Sequence, residues 1–286
     1  MSKATEGLPS PYANHWLQRN ESRLEAVIEL FKEHLGNPEP PDYRDGMQVL
    51  ILTILSQNTT DPNALQAYLN LLERFPPEEE YDRDPDQLPK DDEGNVDSVE
   101  IRMSQAADAL PPADWQAVVN AEKETIETCI RVCGLQQSKS ASIQRALRWV
   151  QQQTDTFDLS KVIDGCEPPE AAKKLSSVKG IGVKTASVTL LEAYKVDLCP
   201  VDTHVHRICQ RLRLVEPSSS RDKTFRELQP LIPEGEGYGL HHNLLTFGRE
   251  ICTSRNPDCE NCYLQRVCYY YRCEKNGENR KLTFAE

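Results

Sequence analysis

Four cysteines near the carboxyl end of the chain have the spacing of a metal site. They follow the pattern Cys252-x6-Cys259-x2-Cys262-x5-Cys268, which places all four within 17 residues. Sites with four thiolate ligands hold zinc or an iron–sulfur cluster. Zinc ribbons and fingers usually contain two Cys-x2-Cys pairs, whereas this segment contains one. The spacing therefore predicts a compact iron–sulfur loop.

A turn with two glycines, Gly180-Ile181-Gly182, is a second candidate site. No strand is predicted before it and no third glycine follows, which argues against a dinucleotide-binding fingerprint. Two helices joined by such a turn would direct backbone N–H groups, among them those of Lys179 to Gly182, at an anion such as a DNA phosphate. An ordinary turn between two helices is the alternative interpretation.

Lys184 and Asp202 are the candidate catalytic residues. Lys184 follows the turn in the first turn of a predicted helix, where the helix dipole disfavours a cation. That position, with partial burial, would favour the neutral and nucleophilic amine, although a lysine here could also simply contact a phosphate. Asp202 could be the N-cap of the next helix, or it could assist deprotonation of the amine and stabilise positive charge on a sugar ring.

Cysteine usage and the amino-terminal sequence bear on where the protein acts. The remaining cysteines are interpreted as core or surface residues: Cys129, Cys133, Cys166, Cys199, Cys209 and Cys273. The first residues contain no apolar stretch typical of a secretory signal, and no run of 18 apolar residues predicts a membrane span. Ten cysteines in such a chain favour a reducing compartment and metal binding over disulfides. We therefore expect a cytoplasmic protein.

The elements that position these residues are predicted to be helices. Apolar residues recur at helical spacing from Glu21 to Leu35, and the apolar run from Met47 to Leu55 predicts a buried helix. Further helices are predicted around 115–132, 138–152, 185–194 and 203–212. Residues 1–20 are polar and are expected to be frayed. Since no segment alternates polar and apolar residues convincingly, the predicted fold class is all-α.

The net charge of −12 neither supports nor excludes a nucleic-acid partner, because the charge is unevenly distributed. Residues 1–169 contain 15 Lys and Arg against 30 Asp and Glu, and many of these acids lie between Glu78 and Glu100. Residues 170–255 contain 13 basic and 10 acidic residues. The acidic stretch is interpreted as a solvated loop, and local basic residues decide phosphate contact.

Taken together, these motifs resemble the endonuclease III branch of the helix-hairpin-helix glycosylase superfamily. The hairpin with Lys184 looks like the nucleophile motif of that branch, and Pro200-Val201-Asp202-Thr203-His204 looks like its aspartate motif. The four cysteines match its [4Fe–4S] loop. The segment from Leu55 to Asp61 resembles the part that fills the gap left by a flipped nucleotide, so that either Gln57 or Asn58 would enter the DNA.

The resemblance implies a bifunctional DNA glycosylase and AP lyase of base excision repair. The expected substrate is double-stranded DNA with damaged bases, typically oxidised pyrimidines, or abasic sites. The expected DNA contacts are Gln57, Asn58, Lys179, Gly180, Ile181, Gly182 and His204. A monomer associated with the nucleoid is expected, with a [4Fe–4S] cluster as its cofactor.

The resemblance also implies two helical domains. Residues 41–196 would form a central domain that contains the hairpin and an acidic insertion at 78–112. Residues 1–40 and 197–286 would together form the iron–sulfur domain.

Two other functions remain open at this stage. A monofunctional mismatch, uracil or adenine glycosylase could share the hairpin and the cluster while activating water, but such relatives generally lack the lysine. A non-catalytic iron–sulfur protein that binds DNA or transfers electrons would require neither Lys184 nor Asp202.

Overall fold

The structure is a computed structural model that describes residues 10–40, 44–77 and 110–275. Within these ranges it contains helices and no β-strand, as the sequence predicted. The chain divides into two compact units, one of residues 41–196 and one that combines residues 1–40 with 197–286. Most of the predicted acidic insertion, residues 78–109, lies outside the described residues. No helix in the described part of the chain is long and apolar enough to cross a membrane.

The first helix, α1 (Ser10–Leu35), belongs to the unit of residues 1–40 and 197–286. It begins eleven residues before Glu21, where the apolar periodicity starts, so the expectation that residues 10–20 are frayed is wrong. The described part of this unit also contains α10 (Thr203–Leu212), α11 (Arg221–Leu228), α12 (Gly237–Glu250), a 3-10 turn (Gln229–Leu231) and a π-helical turn (Tyr270–Lys275). Its core includes Phe31 of α1 and Phe247 of α12, whose ring centroids lie 5.3 Å apart.

In its described residues, the unit of residues 41–196 contains the helices α2 (Gly46–Leu55), α3 (Asp61–Arg74), α4 (Trp115–Asn120), α5 (Lys123–Cys129), α6 (Gln136–Thr154), α7 (Ser160–Ile163), α8 (Pro168–Ser176) and α9 (Val183–Tyr194). The segment predicted as one helix at 115–132 is instead α4, α5 and a 3-10 turn (Arg131–Cys133). Ala121, between α4 and α5, has extended backbone angles, which interrupts the helix.

Helix α2 is the centre of the unit of residues 41–196. All ten of its residues are buried, as its apolar sequence predicted. Asp45 caps its first turn, since the side chain accepts a hydrogen bond from the Gln48 amide at 2.6 Å. Helix α9 packs against α2, and a buried ion pair between Arg44 and Glu192 joins the two near the start of α2 and the end of α9. Breaking one partner of such a pair leaves an uncompensated buried charge. These contacts fix α9 against α2.

Candidate functional site

The two-glycine turn joins α8 to α9, and residues of α6 contact it and hold it in place. Gly180 has a φ of +103°, a conformation that side chains rarely adopt. A Cβ atom at Gly180 would collide with the side chain of Ser142. The Lys179 carbonyl accepts a hydrogen bond from Arg145 Nε at 2.8 Å, and the Ile181 side chain is buried. The turn is therefore rigidly positioned by residues distant in sequence, which an ordinary surface turn does not require.

Gly182 has a different role from Gly180. Its φ of −83° is accessible to any residue, so of the two glycines only Gly180 requires a positive φ. It is the N-cap of α9, and a Cβ atom there would meet nothing within 4 Å. The space in front of Gly182 and the unpaired amides of the first helical turn leave room for an anion to approach the backbone.

Lys184 is the second residue of α9 and its side chain is exposed. The expectation of partial burial is therefore wrong, and the amine reaches solvent beside the glycine turn. The next residue, Thr185, is buried and its hydroxyl accepts a hydrogen bond from Gln57 Nε2 at 3.0 Å. This bond ties the segment after α2 to the helical turn that carries Lys184.

The same bond distinguishes the two candidates for entering the DNA. Gln57 is half-buried and its amide is directed at α9. Asn58 is exposed and has a φ of +52°, in the left-handed region. Asn58 is thus the side chain of the two that is available for contact with another molecule.

Sequence reasoning missed two residues of this region. Lys139 is buried, and its ammonium donates to the carbonyl oxygens of Leu55 and Cys133, each at 2.8 Å. This lysine holds the loop before α6 next to the segment that carries Asn58. Leu135, in that loop, is 55% exposed and has a φ of +50°. The sequence contained one signal for Leu135, namely the Gly134-Leu135 pair directly before a helix whose first residues are polar. An apolar residue at that position has no protein core to pack into and is therefore expected to be exposed.

Asp202 is the N-cap of α10, in the unit of residues 1–40 and 197–286. Its Oδ1 accepts a hydrogen bond from the Val205 amide at 2.8 Å, so the N-cap role that the sequence allowed is present. Asp202 is half-buried. Two residues before it, the carbonyl oxygen of Pro200 lies 3.0 Å from Nδ1 of His241, a buried residue of α12. Capping uses one carboxylate oxygen, and the negative charge of the group remains available for a further interaction.

His204 lies next to α12 rather than in open solvent. It is half-buried against Gly248, where a Cβ atom would be 2.8 Å from the His204 ring. Its Nδ1 is 3.2 Å from Nη2 of Arg207, and Arg207 also donates to the carbonyl oxygens of Gly248 and Cys252. Arg207 therefore connects the Asp202 segment to the first of the four cysteines.

The four carboxyl-terminal cysteines line a single cavity. Its walls include the apolar side chains of Ile208, Leu212, Phe247 and Leu264. The sulfur atoms do not converge on one point, and across residues 10–40, 44–77 and 110–275 no three His, Cys, Asp or Glu side chains form a metal-binding arrangement. None of the chain's ten cysteines, all of them in described segments, forms a disulfide.

The surroundings of these cysteines fit a thiolate-bound metal centre. Arg211 Nη1 lies 3.1 Å from Cys252 Sγ, and the Tyr271 amide lies 3.5 Å from Cys268 Sγ. Burial raises the pKa of Cys262 to about 12 and also raises the pKa of Cys268. Half-buried thiols of this kind become thiolates when a metal replaces the proton, and the Arg211 and Tyr271 donors would stabilise the resulting negative charge.

Comparison with known proteins agrees with the fold. The family model of HhH-GPD superfamily base excision DNA repair proteins matches residues 51–234, which is more than half of the chain. The chain belongs to this superfamily of base excision repair enzymes. Its relatives and structural neighbours include many endonuclease III proteins, which confirms the resemblance to that branch. The predictions of an enzyme, of DNA repair and of a DNA glycosylase class are confirmed at this level.

The relatives match over most of their length. Endonuclease III of Thermotoga maritima is 29% identical over 242 residues, covering 84% of this chain and 90% of that protein. Endonuclease III of Sulfolobus acidocaldarius is 29% identical over 228 residues, covering 80% and 83%. The solved structure of a trapped endonuclease III–DNA covalent intermediate superimposes with a TM-score of 0.62 at 22% identity, covering 89% of this chain and 98% of that one. At that identity the likeness establishes the fold.

The two glycines of the turn should respond differently to alanine. Gly180→Ala introduces both an unfavourable φ and a collision with Ser142, so it should lower the melting temperature and weaken DNA binding. Gly182→Ala meets no neighbouring atom and should melt within a few degrees of wild type. If an anion approaches Gly182, the added methyl group should still weaken duplex binding. Thermal melts and duplex titrations measure both effects, and equal stability of the two variants would contradict this assignment.

Proposed function

We propose that the protein is a bifunctional DNA glycosylase and AP lyase that removes damaged bases, with oxidised pyrimidines as the expected class. The observation that carries this proposal is the exposed Lys184 on the first turn after a braced glycine hairpin. A protein that only bound DNA would need the hairpin but not an amine at this position. Because its substrate is chromosomal, we place the protein at the nucleoid in the cytoplasm, and we expect it to act as a monomer.

DNA binding is assigned to the hairpin and to the two loops joined by Lys139. The backbone amides of Gly180, Gly182, Val183 and Lys184 would hold a phosphate, with Lys179 beside them, whereas the Ile181 amide already donates to the Val178 carbonyl oxygen. A base inside the stack is inaccessible, so the damaged nucleotide must leave the duplex. Asn58 would occupy the resulting gap, whereas Gln57 would keep its bond to Thr185 and position the turn of Lys184. Leu135, an exposed apolar side chain held nearby, would contact the bases beside the gap.

The chemistry is assigned to Lys184 and Asp202. The neutral amine of Lys184 attacks C1′ of the extruded nucleotide, and the bond from C1′ to the base breaks as the base leaves. Loss of a proton from nitrogen and opening of the sugar ring give an imine between Lys184 and the sugar. Abstraction of a proton from C2′ then expels the 3′ phosphate by β-elimination. Asp202 assists deprotonation of the amine and stabilises positive charge on the sugar.

We also propose that Cys252, Cys259, Cys262 and Cys268 hold a [4Fe–4S] cluster. When bound, the cluster would cross-link the carboxyl-terminal segment, and no step of the reaction is assigned to it. Arg211 would hydrogen-bond to a cluster ligand, since it lies 3.1 Å from Cys252 Sγ. His204 is assigned to the DNA-facing segment at the start of α10, where its ring is held by Arg207.

The proposed activity is tested with a panel of duplex oligonucleotides. The panel contains an abasic site, thymine glycol, uracil or a mismatch, and each duplex is incubated with and without borohydride. A lyase of this mechanism should release the oxidised base, cut the strand and form a borohydride-trapped adduct. Base release without trapping or cutting would instead indicate a monofunctional glycosylase. Binding with no reaction on any duplex would indicate a non-catalytic protein.

The metal assignment predicts a coloured protein. Protein purified without oxygen should be yellow-brown, absorb broadly near ~400 nm and contain about four irons per chain. Replacing any one of the four proposed ligands by alanine should lower the iron content and destabilise the unit of residues 1–40 and 197–286, because ligand geometry and folding are coupled. Cys166→Ala is the control and should change neither. A colourless protein with one zinc ion would refute the cluster and leave the assignment of Lys184 intact.

A further inference from the structure

The segment that leads to Asp202 is buried, although it belongs to no helix or strand. Residues 198–201 are all buried and have no regular secondary structure. The backbone N–H and C=O groups of such a segment cannot be satisfied by a helical turn or a neighbouring strand, so partners must come from other parts of the unit. Pro200 has no N–H, so the fully buried Cys199 before it is the nearest residue that can be held by both backbone groups.

Gln229 supplies both partners for Cys199. Its Oε1 accepts a hydrogen bond from the Cys199 amide, and its Nε2 donates to the Cys199 carbonyl oxygen, each at 3.0 Å. A primary amide offers an acceptor and a donor side by side, which is what the two backbone groups of one residue require. Gln229 is half-buried in the 3-10 turn that follows α11, 30 positions from Cys199 along the chain. The two bonds therefore tie the segment before Asp202 to a distant turn of the same unit.

The same segment has two further anchors. The Asp197 carboxylate accepts hydrogen bonds from the amides of Gly235 and Gly237, at 2.7 and 2.8 Å. After Cys199, the carbonyl oxygen of Pro200 lies next to Nδ1 of His241. Three successive places on the backbone are therefore fixed before the chain reaches the N-cap of α10.

We propose that Gln229 is a positioning residue for the carboxylate of Asp202, an inference that rests on the catalytic role proposed for Asp202. Oδ1 of Asp202 is bonded to the Val205 amide, so the direction of its other oxygen follows from the course of the backbone just before α10. Gln229 holds that backbone three residues earlier, at Cys199. Because a displacement of ~1 Å at a reacting group can slow a reaction by ~10²-fold, a small shift of this segment should change the rate of base release. The amide of Gln229 is used by Cys199, so Gln229 acts through Asp202 and not on the substrate.

The test is Gln229→Leu in the full chain, which keeps a side chain of similar size and removes both bonds to Cys199. Single-turnover base release is measured at saturating enzyme on the damaged duplex that the wild type processes fastest. Duplex affinity and melting temperature are measured in parallel. Base release should be ~10-fold slower while duplex affinity stays at the wild-type value, because the substitution displaces a reacting group and no DNA contact.

Gln210→Leu is the matched control. Gln210 is a half-buried glutamine of α10 whose Nε2 donates to the carbonyl oxygens of Pro217 and Ser219, at 2.8 and 3.4 Å. The loop that it supports does not lead to Asp202, so its loss should lower the melting temperature without slowing base release. If the control slows base release as much as Gln229→Leu, or if Gln229→Leu reacts like the wild type, the proposal is refuted.

A double-mutant cycle with Asp202→Asn shows whether Gln229 acts through the carboxylate. In the Asp202→Asn protein, adding Gln229→Leu should slow base release by less than ~2-fold, because the charge that Gln229 positions is already absent. Equal fold losses in the two backgrounds would mean that the effect of Gln229 is independent of Asp202, which overturns the proposal.

Gln229→Glu keeps the proposal testable if the leucine variant melts far below the wild type. The introduced carboxylate retains an acceptor for the Cys199 amide and lacks the donor for the Cys199 carbonyl oxygen. It should slow base release when residue 202 is aspartate and not when it is asparagine, and a wild-type rate contradicts the proposal. Failure of the proposed function gives a different pattern, in which the wild type releases no base or Asp202→Asn is as active as the wild type. The role of Gln229 would then fall with that of Asp202.

Discussion

The Lys184→Gln protein should form no borohydride-trapped adduct on any duplex that traps the wild-type protein. The glutamine side chain has a similar length but no amine that can form an imine with C1′. Lys184 is exposed at the second position of α9, so its replacement removes no buried contact and the melting temperature should stay close to that of the wild type. Adduct formation is measured by denaturing gel electrophoresis after reduction, and duplex affinity is measured in parallel.

Lys179→Gln is the matched control for this experiment. Lys179 is also an exposed lysine of the hairpin, five residues before Lys184. Its loss should weaken duplex binding by removing a charge near a phosphate, yet the adduct should form fully once the DNA is saturated. If Lys184→Gln traps like wild type while Lys179→Gln does not, the nucleophile has been assigned to the wrong amine.

Asp202→Asn should slow base release by ~10²-fold or more and leave stability nearly unchanged. The reason is specific to the N-cap geometry, in which Oδ1 of Asp202 accepts a bond from the Val205 amide. Asparagine is about as good an N-cap as aspartate, so the substitution removes the charge and keeps the cap. Single-turnover base release and thermal melting measure the two effects separately.

Asp202→Ala provides the comparison that separates capping from chemistry. It removes both the cap and the charge, so it should cost about 1 kcal/mol of stability in addition to the loss of activity. If the asparagine variant were as active as wild type and only the alanine variant were impaired, Asp202 would have a structural role alone. Equal losses of activity in both variants, with a lower melting temperature only for alanine, would support the catalytic role.

The sequence predicted the fold class and the fully buried α2 because these depend on local patterns. The apolar run from Met47 to Leu55 is too continuous for a surface helix, and the all-helical prediction followed from similar periodicities. The helix from 115 to 132 was predicted as continuous because periodicity does not register a short extended break such as Ala121-Glu122. The amino-terminal start of α1 was missed because residues 10–20 lack an apolar pattern.

The site was predictable where one short segment carries the signal, and not where distant segments cooperate. The hairpin, Lys184 and the N-cap position of Asp202 are each readable from a few consecutive residues. The bond from Gln57 to Thr185 joins residues 128 positions apart, and no local pattern indicates it. For the same reason, sequence alone could not decide between Gln57 and Asn58, nor show that Ser142 and Arg145 support the hairpin.

The two hydrogen bonds of Lys139 affect which amino-acid substitutions this enzyme can tolerate. Its ammonium is held by the main-chain oxygens of Leu55 and Cys133, groups that every amino acid supplies. The spacing between the two loops is therefore largely independent of the side chains that those loops carry. Asn58 and Leu135 can therefore be exchanged for other residues without loss of the two Lys139 hydrogen bonds. A library randomised at these two positions should yield mostly folded proteins, whereas randomising Lys139 should not.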